Sequence, residues 1–150
     1  MIEDSGIEIG PAATPRYPLV RRRTVGHLVS VLSRKHRGRD MLLEAYRTRA
    51  VVVGEIHELV VTNQSNCNPG DTVSDVAYIG FFEVLVGSIV ALGDSVWANE
   101  RLLGTVAGFD IVHFPNHLNI VIETDSAQTG AELQLDVGSV IRVDPRPVDS

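Results

Sequence analysis

The sequence contains a single cysteine, Cys67, among its 150 residues. One thiol cannot form an internal disulfide, which excludes a disulfide-stapled secreted scaffold. The first residues have neither the basic start nor the apolar run of a secretory signal. We therefore expect a cytoplasmic protein.

Long apolar runs and common nucleotide or nucleophile motifs are also lacking. Gly87, Gly93 and Asp94 interrupt the most apolar region, so no run reaches the roughly 18 residues that span a bilayer as a helix. The patterns G-x-S-x-G, G-x-G-x-x-G and the P-loop do not occur. These absences predict no membrane association and no nucleotide cofactor, and they argue against ordinary serine hydrolases, dinucleotide enzymes and NTPases.

The composition that remains is that of one globular domain. Hydrophobic residues make up 44% of the chain, charged residues 21%, and the formal net charge is −6. A chain of this length can bury a self-sufficient core. We predict a mobile N-terminal tail at residues 1–22, one domain at 23–144 and a C-terminal tail at 145–150.

The charge is unevenly distributed along the chain. Residues 16–49 hold ten Arg and Lys side chains against two carboxylates, a balance of +8, while the rest is acidic. This segment could bind an acidic protein partner or serve as an intramolecular counter-charge. Nucleic acid is not the expected partner, because only Tyr17 and Tyr46 are interleaved with the basic residues.

Short apolar runs separated by turn residues predict strands. Residues 24–32 and 50–62 have this character, and from Thr72 onward the runs VAYIGFFEVLV, SVWAN, RLLGTVAGF, HLNIVIET, AELQL and SVIRV follow. Residues 41–50 could instead form one or two helical turns. The pattern predicts an all-β protein, a small antiparallel β-barrel with a short helical or irregular N-terminal segment. Because barrels this small often pair, we expect a homodimer.

The order of features in GDSVWANERLLGTVAGFD, HLNIVIE and GAELQLDVGSVIRV resembles the glucitol/sorbitol-specific IIA component of the bacterial phosphotransferase system. The resemblance covers about residues 71–143. It implies a small antiparallel β-barrel and, as an alternative function, a non-catalytic carrier or regulatory module. No histidine lies between Cys67 and Asp110, where that family has its histidine-bearing stretch, so no site residue is carried over.

A carboxylate and an imidazole lie two residues apart in GEIHEL. A strand would place Glu55 and His57 on one face and Ile56 and Glu58 on the other. A carboxylate beside an imidazole suits general acid/base work, although an exposed strand can look the same.

The segment FDIVHFPNHLN, residues 109–119, is the densest group of polar side chains. Pro115 excludes a helix that would place His113 and His117 on one face, so the two histidines lie across a turn. On the following strand Leu118, Ile120 and Ile122 form the apolar face that enters the core. If the opposite face lines an interior, His117 would meet His57 in a pocket.

Three interpretations of that pocket remain open. Asp110 and the asparagines could merely cap a turn. The groups could coordinate a divalent metal, with His57, His113 and His117 as ligands. They could also bind a small molecule without metal and catalyse an isomerisation, cyclisation or elimination, as an accessory biosynthetic enzyme would. In that mechanism one imidazole takes a proton and the other returns it.

The residues predicted for this site fall into two sets. The acid/base candidates are Glu55, His57, Asp110, His113 and His117. The ligand-binding candidates are Glu83, Trp97, Phe114, Asn116 and Asn119.

Overall fold

Twelve strands make up the fold in the computed structural model, which describes residues 20–147. In chain order they are β1 Thr24–Val31, β2 Lys35–His36, β3 Met41–Leu42, β4 Thr48–Val51, β5 Ile56–Thr62, β6 Thr72–Val73, β7 Val76–Val86, β8 Ser88–Ala91, β9 Ser95–Ala98, β10 Arg101–Asp110, β11 Asn119–Glu123 and β12 Val140–Asp144. No helix occurs within residues 20–147, which confirms the predicted all-β class. No segment of that range is therefore a helix long and apolar enough to cross a membrane.

Seven strands close into a ring in the order β1, β12, β9, β10, β11, β5 and β7, because β7 pairs back onto β1. All of these pairs are antiparallel except β5 with β11, which run parallel. The parallel pair departs from the predicted antiparallel arrangement. It brings the start of β5 beside the start of β11, with Glu58 opposite Asn119.

The apolar side chains form two cores. The larger core lies inside the ring and includes Leu28, Phe82 and Phe109, together with the predicted inward face of Leu118, Ile120 and Ile122. The smaller core lies on the outer face of the sheet: Met41, Leu43, Val60, Val73, Val76, Ala107 and Val121. Strands β3 and β6 pair with each other and cover this second core; we call this two-stranded ribbon the flap.

Two sequence predictions of local structure are wrong. The helical alternative for residues 41–50 is wrong, whereas residues 43–47 are irregular and the rest belongs to β3 and β4. Met41 and Leu43 point into the outer core while Leu42 is exposed, which is a period of two. The predicted strand AELQL at 131–135 is a series of turns. Thr129 and Glu132 cap each other there, since each backbone N–H donates to the other side chain.

Three side chains of the basic segment form ion pairs within the molecule. Arg21 forms a bidentate contact with Asp94 at 2.8 and 2.9 Å, Arg23 lies 3.2 Å from Asp144 and Lys35 lies 3.2 Å from Glu132. Most of the tail predicted at 1–22 lies outside the described residues, as do residues 148–150.

Candidate functional site

A row of side chains crosses four neighbouring strands on the outer face of the sheet. In register, Phe81 of β7 lies opposite Glu58 of β5, Glu58 opposite Asn119 of β11, and Asn119 opposite Asp110 of β10. Cross-strand partners point to the same face of a sheet. The row is therefore a direct product of strand pairing, and Glu58, Asp110 and Asn119 are each less than 7% exposed.

The row lies between the flap and the loop at residues 111–117. Asp110 holds the start of this loop, because its Oδ1 accepts a 2.6 Å hydrogen bond from the Val112 N–H. At the end of the loop the His117 N–H donates to the His113 carbonyl at 3.2 Å. The loop thereby places the His117 side chain over the row.

The His117 ring contacts groups on every side. Its Nε2 lies 3.4 Å from Glu58 Oε1, its Nδ1 lies 2.9 Å from the Asn116 amide nitrogen, and the His113 ring stacks on it at 5.0 Å. The Phe81 ring meets it edge to face at 4.9 Å. His117 is thus fixed beside a carboxyl group and is only 8% exposed.

Two buried polar atoms at this site, His117 Nε2 and Asn119 Oδ1, make no hydrogen bond of good geometry among residues 20–147, although the His117 and Asn119 side chains interact with each other. The Nε2 contact with Glu58 is close enough for electrostatic interaction but does not have hydrogen-bond geometry. A buried polar atom without a partner costs about 1–3 kcal/mol, so folded proteins rarely retain one. The poor geometry of the His117–Asn119 contact leaves part of the hydrogen-bonding capacity of both side chains unused.

The site changes the protonation of its two central groups in opposite senses. Burial raises the pKa of Glu58 to about 7, with Arg39 opposing the shift and Asp110 adding to it. Burial also lowers the pKa of His117, and the nearby His113 and His57 lower it further, whereas a side-chain hydrogen bond with Asn119 and the charge of Asp110 act to raise it. Both effects disfavour charge, so near neutral pH the pair consists of a partly protonated carboxyl and a neutral imidazole.

The predicted Glu55–His57 pair forms a separate arrangement next to the row. His57 Nδ1 accepts the Leu118 N–H at 3.1 Å, so its Nε2–H donates to Glu55 Oε1 at 3.1 Å. Burial acts to raise the pKa of Glu55, but its hydrogen bonds with the Val52 N–H and with His57 lower it overall. Both nitrogens of His57 are therefore in use, and the ring holds the chain at Leu118, next to His117.

The predicted ligand-binding residues are not all at this site. Asn116, Asn119 and Phe114 belong to the loop or the row, and the Arg49 guanidinium lies 5.1 Å from the Phe114 ring. Glu83 faces His27 at 3.3 Å in a half-buried pair away from this site. Trp97 lies against Arg142 at 4.9 Å and pairs with Leu102 near the opposite end of β10 from Asp110.

The predicted three-histidine set does not form a metal centre in this arrangement. Among residues 20–147, no three His, Cys, Asp or Glu side chains come together as a group that could hold a metal ion. His57 turns toward Glu55 and Leu118, whereas His113 and His117 stack on each other. The donor set at this site is a carboxyl, an imidazole and an amide.

Sequence reasoning missed Glu58, Arg39 and Phe81. Glu58 follows the Glu55–His57 pair, and the alternation of the strand places it on the other face, to which the sequence assigns no role. The signal for a covered face is the unbroken apolar run of Leu59, Val60 and Val61, and again of Ile120, Val121 and Ile122. Strands buried on both faces have such runs.

The ring of strands and the row of polar side chains together define a class of protein. It is an all-β protein with a closed ring of strands and a buried carboxyl–imidazole site on the outer face of that ring. The chain belongs to a family of unknown function, DUF6917, whose family model matches residues 19–144. No curated protein and no solved structure matches it.

Proposed function

We propose that this protein binds a small polar organic molecule at the row formed by Glu58, His117 and Asn119, and moves a proton on it. The observation that supports this is a pair of buried atoms beside Glu58, His117 Nε2 and Asn119 Oδ1, whose side chains interact with each other without good hydrogen-bond geometry. The site therefore offers hydrogen bonds to a ligand next to a group that can exchange a proton.

Glu58 is the proton acceptor and donor in this proposal. Burial raises its pKa to about 7, so both protonation states are present near neutral pH. A general acid/base works best when its pKa lies near the working pH, and such groups contribute roughly 10²–10⁴-fold to a rate.

His117 supplies a hydrogen bond from a neutral ring. When the Asn116 amide donates to Nδ1 at 2.9 Å, the ring proton is on Nε2 and points into the site. There it can stabilise negative charge that develops on a substrate oxygen while Glu58 removes a proton from a neighbouring carbon. Isomerisation, elimination and cyclisation can all begin with such a step.

The loop at 111–117 controls entry to the site. His117 Nε2 is buried, whereas Val112 and Phe114 in the loop are 59% and 51% exposed. In this proposal a ligand reaches His117 Nε2 and Asn119 Oδ1 when the loop moves outward, because His117 is at the end of the loop and Phe114 lies at its tip next to Arg49.

Hydrogen–deuterium exchange on small carbonyl compounds tests the proposal without knowledge of the product. The full chain is incubated in D₂O with a panel of small ketones, aldehydes, keto acids and hydroxy acids, and exchange at carbon is followed by NMR. We expect exchange on at least one compound and a loss of about 10²-fold or more in Glu58→Gln and His117→Gln.

The half-buried His27–Glu83 pair provides the control, because it brings the same two groups to 3.3 Å outside the proposed site. His27→Gln and Glu83→Gln should leave exchange unchanged. Equal loss in both sets of variants, or exchange that survives Glu58→Gln, contradicts the assignment. Binding without any exchange would leave a binding site and remove the acid/base role.

A further inference from the structure

We propose, resting on the function above, that His57 controls the closure of the site. Its neutral ring holds the end of the loop at 111–117 in place, and a proton taken up at Nδ1 releases that end. His57 is therefore a positioning residue, which acts through the position of His117. The contacts of its two ring nitrogens give it this role.

The loop ends where the parallel pairing of β5 with β11 begins. The first pair in register is Glu58 with Asn119, and the Glu58 N–H donates to the Leu118 carbonyl at 3.0 Å. Strand pairing stops at this point. The buried Leu118 N–H donates instead to His57 Nδ1 at 3.1 Å, so a side chain supplies the last acceptor of the strand pair.

That acceptor fixes the position of His117, which directly precedes Leu118. Leu118 is 1% exposed and packs inside the ring. With both of its backbone polar groups bound, the His117 ring stays 3.4 Å from the Glu58 carboxyl group. If His57 stops accepting, a buried N–H loses its partner, which folded proteins avoid. Outward movement of the loop relieves this loss because water then reaches the N–H.

Two neighbours make opposite demands on the His57 ring. The Nε2–H donates to Glu55 Oε1 at 3.1 Å, and a carboxylate beside an imidazole favours the charged ring. The Leu118 N–H requires a bare Nδ1, because a charged ring is a donor at both nitrogens. The closed loop therefore excludes the charged ring, whereas the open loop accepts it with Glu55 as its partner. Proton uptake and loop opening are one coupled equilibrium.

The groups that face the ring set the balance of this equilibrium. From the start of β5, Glu55 favours the charged ring, and Arg49 acts on that carboxylate. From the loop, His117 interacts electrostatically with His57. Strand β7 presents the apolar Phe82 ring, with its centroid 6.5 Å away. The proton comes from water on the Glu55 side, because the Glu55 side chain is 45% exposed and that of His57 only 9%.

The closure and the proposed proton transfer respond to pH in the same direction. When the pH falls, His57 gains its second proton and the loop opens, while Glu58, whose pKa is raised to about 7, is protonated. When the pH rises, the loop closes and Glu58 ionises, which is the state that removes a proton from a substrate. Acid therefore favours exchange of the ligand, and neutral to basic pH favours the reaction.

NMR of the full chain between pH 8 and pH 5 tests the inference. The ¹⁵N shifts of the His57 ring distinguish its neutral and charged forms, and hydrogen exchange of the Leu118 amide, corrected for its intrinsic rate, measures closure. At pH 8 we expect a neutral ring with its proton on Nε2. As the ring gains its second proton, protection of the Leu118 amide should fall about tenfold or more, the equivalent of one hydrogen bond.

Two substitutions of His57 separate its acceptor from its titration. In His57→Asn the side-chain oxygen takes the position of Nδ1 and cannot gain a proton, so protection of Leu118 should no longer depend on pH. In His57→Leu the acceptor is gone, and protection should be low at every pH. His27→Asn is the matched control, because His27 also faces a carboxylate, Glu83, at 3.3 Å; it should behave like the wild type.

A fall in Leu118 protection that is the same in His57→Asn as in the wild type would assign the pH dependence to Glu58 or His117 and overturn the inference. So would a charged His57 ring with full Leu118 protection. If His57→Leu does not fold, the wild type and His57→Asn still provide this test. Deuterium exchange at carbon at pH 8 that Glu58→Gln abolishes would then leave the proposed function standing. Closure that depends on His57 without any exchange at carbon would support the closure and overturn the proton transfer.

Discussion

At the residue scale, Glu58 determines how the stability of this protein depends on pH. Its pKa is raised from 4.5 to about 7 in the folded chain. Between these values the folded state binds more protons than the unfolded state, so stability falls as the pH rises and the penalty is complete above about 7. Burial of His117 acts in the opposite sense, because it destabilises the folded state below the ordinary histidine pKa.

Glu58→Gln should remove the penalty at high pH. We expect the variant to match or fall below the wild type in unfolding free energy at pH 5 and to exceed it by about 2 kcal/mol at pH 8. Urea unfolding across this range measures both values. Glu83→Gln is the control, and its difference in unfolding free energy from the wild type should not change sign between pH 5 and pH 8. If the unfolding free energies of Glu58→Gln and the wild type run parallel across this pH range, the raised pKa of Glu58 is contradicted.

At the scale of elements, the pair β1–β7 closes the ring through close backbone contact. A Cβ at Gly26 would lie 2.3 Å from the Glu83 carbonyl oxygen, so alanine cannot fit unless the two strands separate. We expect Gly26→Ala to cost about 3 kcal/mol or more in urea unfolding.

Gly38→Ala isolates the backbone effect from the steric one. Gly38 has a φ of 66°, and nothing lies within 4 Å of a Cβ there. The left-handed conformation alone costs about 1 kcal/mol. Equal losses in Gly26→Ala and Gly38→Ala would show that the ring tolerates separation of β1 and β7.

At the scale of the whole molecule, Asp94 joins both ends of the described chain. Its carboxylate accepts from Arg21, from the Ala91 N–H at 2.8 Å and from the Arg146 N–H at 2.9 Å, and it is 1% exposed. Asp94→Ala leaves these donors without their acceptor and should cost about 3–5 kcal/mol.

Lys35→Ala is the matched control for Asp94→Ala, because it removes an ion pair on the surface instead of a buried one. The Lys35–Glu132 pair lies 3.2 Å apart with both side chains about half exposed, and its loss should cost about 1 kcal/mol or less. Thermal unfolding of both variants measures the difference, and a similar small loss for Asp94→Ala would show that the chain ends fold independently of this contact.

Three sequence predictions concern the relatives and the partners of this protein. The resemblance to the glucitol/sorbitol-specific IIA component, the homodimer and an acidic protein partner for residues 16–49 all remain predictions. The internal ion pairs of Arg21, Arg23 and Lys35 support the intramolecular counter-charge role of that segment.

The sequence predicts those features of the fold that depend on a pattern of residues close together along the chain. Period-two alternation and turn residues predicted most strands, and the apolar face of Leu118, Ile120 and Ile122 does lie in the interior. The run AELQL was misread because its alternation is short and the reciprocal caps of Thr129 and Glu132 outweigh it. The polar residues of 109–119 were recognised, but their partner Glu58 was not.

The sequence by itself determined the all-β class, the strand-forming runs and the polar loop that ends in His117, because these depend on neighbours along the chain. Only the tertiary structure decided that Glu58 is a buried group beside that histidine. The parallel pairing of β5 with β11 and the cover provided by the flap join residues distant in sequence. Alternation within one strand shows that its two faces differ, but contact with other elements decides which polar residues are enclosed.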